Sequence, residues 1–398
     1  MPDTAVDHKL ADQLNLALTD AVADGAAAGV TLALATRDGE VFAGAAGRLG
    51  LDTQTPAAAD SPFWIASFTK LLTAIVALQL ASEETLNLDA AAADYVPEIG
   101  DIAVVERAGD DFRLRPPASP ITVRHLLTHT SGASYAFFNA ITRDYAAAHD
   151  IPGILALDRR TLFAPLVNDP GTDFEYGAGI DLLGLVIEAA TGRQLVELFQ
   201  ERIISPLNLV NTTATPDDSY NSRRLKFHGR GGDSVLAPLD LSIPTEGEFF
   251  AGGHALFSTA QDYLRILRAL LNGGELDGVR ILDEESVRQG FSNQIGELRW
   301  HPIVSADPSL TNDVDALGGE PGTWGYFGLI NETAGPNGRS AHSTFWAGLA
   351  NSYWWIDLDH GVAGVIGTQT FPFADPKILA LQGIAESALI SFSTGNGD

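Results

Sequence analysis

The chain has no cysteine, which excludes disulfides, thiolate metal sites and thiol catalysis. Cations are scarce as well: 24 Lys and Arg stand against 51 Asp and Glu, a formal charge of -27. So acidic a surface repels phosphate backbones and anionic lipid, and neither nucleic acid nor a membrane surface is expected as a partner. Apolar runs stop short of the roughly 18 consecutive residues that a spanning helix requires. The segment Met1 to His8 is acidic and lacks the basic and apolar stretches of an export signal, so a cytoplasmic location is the expectation. Also missing are a Gly-x-Ser-x-Gly elbow, a phosphate-binding loop and a spaced dinucleotide fingerprint, which sets aside α/β-hydrolase and nucleotide-dependent readings.

What is present is a globular composition of 398 residues, 45% hydrophobic, long enough for a large core or two lobes. Between Asp7 and Ala28, Leu10, Leu14, Leu18 and Val22 recur every four positions, a helical pattern. Val30 to Ala35 and Glu40 to Gly44 flank Arg37-Asp38-Gly39 as a hairpin. Strand-like runs return late, at Trp324 to Ile330, Phe345 to Leu349, Tyr353 to Leu358 and Val362 to Thr368, before a last helix from Pro376 to Ile390. Strands at both ends with helices between them predict one sheet built from residues 1–85 and 250–398. A mainly helical lobe with long loops is inserted at 86–249, and a ligand cleft is expected between the two.

Chemistry concentrates at Ser67-Phe68-Thr69-Lys70, the opening of an apolar helix expected over 67–80. Residues three apart share a helix face, so the Ser67 hydroxyl and the Lys70 amine come within reach, a nucleophile beside a base. A helix start also leaves the Ser67 backbone N–H unpaired, as an oxyanion requires. The lysines are only Lys9, Lys70, Lys226 and Lys377, and Lys70 alone has serine three residues before it. His125 and His129 have metal-ligand spacing on a helix, but no glutamate or third ligand accompanies them.

Four blocks in order, Ser67-x-x-Lys70, His125 to Gly132, Tyr176 before Leu182-Leu183-Gly184, and Ala251 to Thr259, resemble the serine β-lactamase and penicillin-binding-protein superfamily. The likeness is nearest to the class C β-lactamase-like branch with its family VIII carboxylesterases. It implies an α+β, two-lobed fold: an antiparallel sheet flanked by helices, with an inserted all-helical lobe. It also implies cofactor-independent acyl transfer through a serine ester, with Ser67 as nucleophile, Lys70 as its base partner, and the Tyr176 hydroxyl sharing a proton with Lys70 and passing it to the leaving group. The oxyanion donors would be the backbone N–H groups of Ser67 and Leu349.

Two departures from the family pattern bear on substrate. Ala178 stands in Tyr176-Gly177-Ala178 where the family has asparagine, and Trp346-Ala347-Gly348 takes the place of Lys-Thr-Gly, so an indole replaces the cation. A β-lactam or D-Ala-D-Ala carboxylate would lose its charge partner, while an apolar acyl or alcohol group gains a surface. The expected activity is therefore that of a carboxylesterase for small, largely apolar esters. A β-lactamase, D-Ala-D-Ala carboxypeptidase, amide hydrolase or acyltransferase of the same fold is the alternative. Trp346, Gly348, Ala178, Tyr135, Phe138 and Phe249 are the candidate substrate contacts.

Overall fold

A computed structural model describes residues 4–109, 111–231 and 234–395. Helix α1 (Thr4–Ala23) precedes the hairpin β1 (Gly29–Thr36) and β2 (Glu40–Gly47), and helix α2 (Thr69–Ser82) follows. The other five strands of the main sheet come from the last quarter of the chain: β3 (Gly322–Trp324), β4 (Leu329–Asn331), β5 (Thr344–Gly348), β6 (Ser352–Asp357) and β7 (Val362–Gly367). Their order is β3-β4-β5-β6-β7-β1-β2, antiparallel throughout, and β7 pairs with β1 from Thr31 opposite Gly367 to Thr36 opposite Val362. Both chain ends thus meet in one sheet, as expected.

The expected strand over 324–330 is instead the hairpin of β3 and β4, because Gly325 and Gly328 close a turn through the Gly325 N–H to Gly328 carbonyl bond of 2.9 Å. The inserted segment carries helices, of which α3 (Gly179–Thr191) matters most here, but it is not all helical. Val104–Ala108 pairs with Asp111–Arg115, a small sheet in a stretch whose sequence reads as irregular. Val104 and Val105 are buried, but beyond them both strands are exposed or half-buried, so the apolar run is too short to advertise a strand.

One continuous cluster of buried apolar side chains runs through both parts, joining Leu14, Leu32 and Val365 to Leu126, Leu183 and Leu198. Helix α2 is buried along nearly all its length, with Leu71, Leu72, Ile75, Val76 and Leu78 all inaccessible. A helix apolar all round is a central one, and it carries the Ser67–Lys70 pair into the middle of the molecule. α1 packs on β2 and on α5 (Pro376–Gly395), while α4 (Ala260–Leu271) packs on β7 and β1. By length and composition alone α5 could span a membrane; in the fold it is a core helix, with Ile378, Leu381, Ala385 and Leu389 buried and Glu386 paired to Arg339.

Candidate active site

Ser67 is the middle residue of a single 3-10 turn, Ala66–Phe68, that feeds directly into α2. Ala66 takes a left-handed φ of +46°, which a residue with a side chain holds only where its surroundings enforce it. The Ser67 N–H at this helix start has no acceptor within the helix. Strand β5 runs hard against the turn. A Cβ on Gly348 would lie 2.7 Å from the Ile65 carbonyl oxygen, so glycine lets the strand come this close, and the next residue, Leu349, lines the same cavity as Ser67.

Lys70 is buried one turn further on. Its Nζ lies 3.1 Å from Ser67 Oγ, 3.1 Å from the Tyr135 hydroxyl and 3.0 Å from the Gly253 carbonyl oxygen. The Tyr135 hydroxyl donates to Asp181 Oδ2 at 3.0 Å, and the Gly253 N–H donates to Asp181 Oδ1 at 2.8 Å. Asp181 is wholly buried in the first turn of α3. Burial pushes its carboxyl up, but the neighbouring His254 and Lys70 and the Gly253 N–H outweigh that and hold it below the ordinary range. Burial, then the charge of Asp181, pushes the Tyr135 phenol well above its ordinary value, so this residue is a neutral donor.

Tyr176 is held differently from the sequence expectation. Its hydroxyl accepts from Trp346 Nε1 at 2.9 Å, and its ring faces Lys70, with 5.0 Å from Nζ to the ring centroid. The phenol that bonds to the lysine is that of Tyr135. Beneath Tyr176 lies the His129 ring, 4.5 Å between centroids, its Nδ1 accepting the Gly177 N–H at 3.4 Å. Burial and then the Lys70 charge push His129 well below its usual range, leaving it neutral. A Cβ at Gly177 would fall 2.2 Å from the Ala133 carbonyl oxygen, so glycine there lets the Tyr176 segment seat against the loop that carries Tyr135. His125, for its part, closes a capping box: its Nδ1 accepts the Thr122 N–H at 3.2 Å. The two histidines therefore serve different structural ends.

In front of Ser67 is a cavity of about 330 Å³. Tyr135, Phe137, Phe138, Ile154, Leu155, Tyr176, Ile303, Leu310, Val314, Trp346, Leu349 and Phe373 line it, and among the described residues no Asp, Glu, Lys or Arg does. Three expected contacts fall elsewhere. Ala178 is buried as the N-cap of α3, Gly348 spaces the strand from Ile65 rather than lining the cavity, and Phe249 lines a separate cleft with Leu157 and Glu188. In this segment it is Gly253 that meets the site, its carbonyl facing Lys70 and its N–H facing Asp181. Asp181 and His254 escaped the sequence reading. The signal for the first was present: a lone aspartate inside Ile180-Asp181-Leu182-Leu183 is a charge that burial obliges to find partners.

A model of the Beta-lactamase family matches residues 14–389. The chain belongs to that family. As a member of the Beta-lactamase family it shares the fold of serine β-lactamases and penicillin-binding proteins and is an enzyme of the serine-hydrolase type. Its relatives include the monacolin J acid methylbutanoyltransferase of Aspergillus terreus, 31% identical over 84% of this chain and 83% of that protein. Another is the lovastatin esterase of Penicillium rubens, 30% identical over 82% of this chain and 84% of that one. Among solved structures, a mutant simvastatin synthase from Aspergillus terreus superposes with a TM-score of 0.81 at 29% identity, covering 96% of this chain and 95% of the other.

Two expectations follow for this Beta-lactamase family member. Gly348→Ala pushes β5 away from Ile65 and should lower kcat on an activated ester by about 100–1,000-fold, the loss typical of a missing oxyanion donor; an unchanged kcat in a folded variant would show that the close approach is dispensable. His129 takes up its proton near pH 6.5 when unfolded and far lower when folded, so the unfolded state binds more protons as pH falls below about 6.5. Stability should drop along that arm by up to about 1.4 kcal/mol per pH unit, and His129→Gln should flatten it. Denaturant midpoints at pH 8, 6.5 and 5 measure the slope, and equal slopes in both proteins would assign it to other groups.

Proposed function

We propose that this protein is a serine carboxylesterase that takes the acyl group of small, largely apolar esters onto Ser67 and releases it to water. The observation that carries the reading is a Ser67–Lys70 pair, 3.1 Å apart, opening into a cavity walled by aromatic and aliphatic side chains. When it acts as the base, Lys70 donates its two N–H bonds to the Tyr135 hydroxyl and the Gly253 carbonyl and turns its lone pair to the Ser67 hydroxyl. Ser67 Oγ then bonds to the ester carbonyl carbon while its proton passes to Lys70. The oxyanion is received by the N–H groups of Ser67 and Leu349. As the bond to the alkoxy group breaks, the Tyr176 hydroxyl, which accepts from Trp346 and keeps its own hydrogen free, protonates the leaving oxygen. Water attacks the acyl-enzyme in the reverse sense. No cofactor enters any step.

A second reading, acyl transfer to an alcohol, is supported by the methylbutanoyltransferase among the relatives, just as the lovastatin esterase supports hydrolysis. The two share every step up to the acyl-enzyme. Trp346 in place of a cation argues against β-lactam or D-Ala-D-Ala substrates.

Ser67→Ala should abolish hydrolysis of p-nitrophenyl butanoate, with nitrocefin left intact by the wild type; retained ester turnover in the variant, or nitrocefin as the faster substrate, would overturn the esterase reading. Added primary alcohols should divert part of the acyl group to a new ester if transfer is a native capacity, and product analysis separates the two readings. Tyr176→Phe should lower kcat by about 100–10,000-fold through loss of the general acid. Tyr135→Phe, which strips a contact from both Lys70 and Asp181, should lower kcat with thermal stability falling as well. Equal kcat for Tyr176→Phe and wild type would move the acid role to another group.

A further inference from the structure

The cavity in front of Ser67 has a neighbour. A second one, of about 430 Å³, is bounded by β5, α5 and the loops at 313–320 and 331–339, and the two share four lining residues, Val314, Trp346, Ala347 and Phe373. Side chains two apart on a strand share a face. Along β5 and just past its end, Leu349 lines the catalytic cavity, Ala347 lines both, and Phe345 lines only the second. The cavities therefore lie end to end along one strand, with Ala347 at the join. Trp346 and Ala347 belong to that strand, so the side chains that stand between the cavities from elsewhere are Val314 and Phe373, both buried. Each is pinned through its backbone. The Val314 N–H donates to the Ile303 carbonyl at 2.8 Å and the reverse bond is 3.0 Å, while the Phe373 N–H donates to the Leu310 carbonyl at 2.9 Å and its carbonyl accepts from the Asn312 N–H at 3.0 Å. The Phe373 ring also stacks on Tyr353, a residue of the second cavity, at 5.9 Å between centroids. Leu349, whose N–H receives the oxyanion in the mechanism above, is two residues from the join, about 7 Å along the strand. An extended carbon chain covers that distance in about five or six carbons.

We infer that Val314 and Phe373 are specificity-determining residues that limit the length of one arm of the ester, acyl or alcohol, to about five or six carbons beyond the reacting group. Up to that limit each added methylene leaves water for an apolar wall, which favours the longer ester by about four-fold per carbon. Past it the chain meets two packed side chains, and forcing extra methylenes into packed surroundings is unfavourable. The space beyond the partition is large enough for a longer chain, so it is these two side chains, rather than the size of the molecule, that set the limit. This inference rests on the esterase reading and narrows its substrate class to esters with one arm of medium length.

The test measures kcat/KM for two series, p-nitrophenyl esters from acetate to decanoate and butanoate esters from ethyl to octyl, in the wild type, Val314→Ala and Val314→Phe. In one series the wild type should rise by about four-fold per methylene and then level or fall near the six-carbon chain. Val314→Ala, which opens the partition, should carry the rise to longer chains and raise the ratio of the longest to the four-carbon ester in that series by at least about ten-fold. Val314→Phe, which thickens it, should move the maximum to shorter chains. Leu379→Ala, in the second cavity only, should leave the maximum where it is. Ratios within one protein are read, so a general loss from poor folding does not mimic the result. A wild type that climbs evenly through both series, or a maximum that neither Val314 variant moves, overturns the assignment while leaving the esterase intact. No turnover of any ester by the wild type removes the esterase reading and this one with it.

Discussion

The carboxylate of Asp181, buried without access to water, is the constraint on which the site depends. One oxygen receives the Tyr135 hydroxyl and the other the Gly253 N–H, and Gly253 offers its carbonyl to Lys70. Three segments far apart in the chain are thereby tied to one side chain: that of Tyr135, from the same inserted stretch as Asp181, and those of Gly253 and Lys70, from the sheet-bearing part. The arrangement also answers an electrostatic need. A lysine amine buried at the centre of the molecule is tolerable only with a countercharge and filled hydrogen bonds, and removing one member of such a set strands the other. Catalytic geometry and the union of the two regions thus rest on the same bonds.

Much of this was legible in the chain, and the boundary follows physical lines. Ser67 and Lys70 could be paired because helix periodicity alone brings them together. The sheet could be inferred because β1, β6 and β7 are continuous apolar runs bounded by turns. The hairpin at 104–115 could not, since only Val104 and Val105 of its paired residues are buried, too short an apolar run to read as a strand. Tyr135 reads in the sequence as a candidate substrate contact and does line the cavity, but its bonds to Lys70 and Asp181 span 65 and 46 positions. Contacts of that separation exist only once the fold exists. His254 fell outside for the same reason: histidine after a glycine pair has no local signature.

Trp346 joins the apolar wall to the tyrosine hydroxyl beside it. Where the Lys-Thr-Gly pattern presents a cation, the indole here closes the apolar wall with its face and bonds the Tyr176 hydroxyl with its N–H. The ring also meets Trp324 edge-on at 4.6 Å between centroids, and Trp324 in turn packs on His129. The indole is a packing element that also orients a hydroxyl.

The wall of the catalytic cavity is assembled from places with little in common: Phe137 and Phe138 after the short helix, Ile154 and Leu155 from a connecting loop, Ile303, Leu310 and Val314 from another, and Phe373 beyond the last strand. All of these side chains are hydrocarbon and so take no part in the hydrogen bonds among Ser67, Lys70 and Asp181. Much of what sets the range of molecules admitted is accordingly written apart from the reacting groups, with Tyr135, Tyr176 and Trp346 shared between the two. A lineage built on this plan can drift in substrate through its loops, one residue at a time, while the turn at Ala66 and the carboxylate beneath it stay as they are.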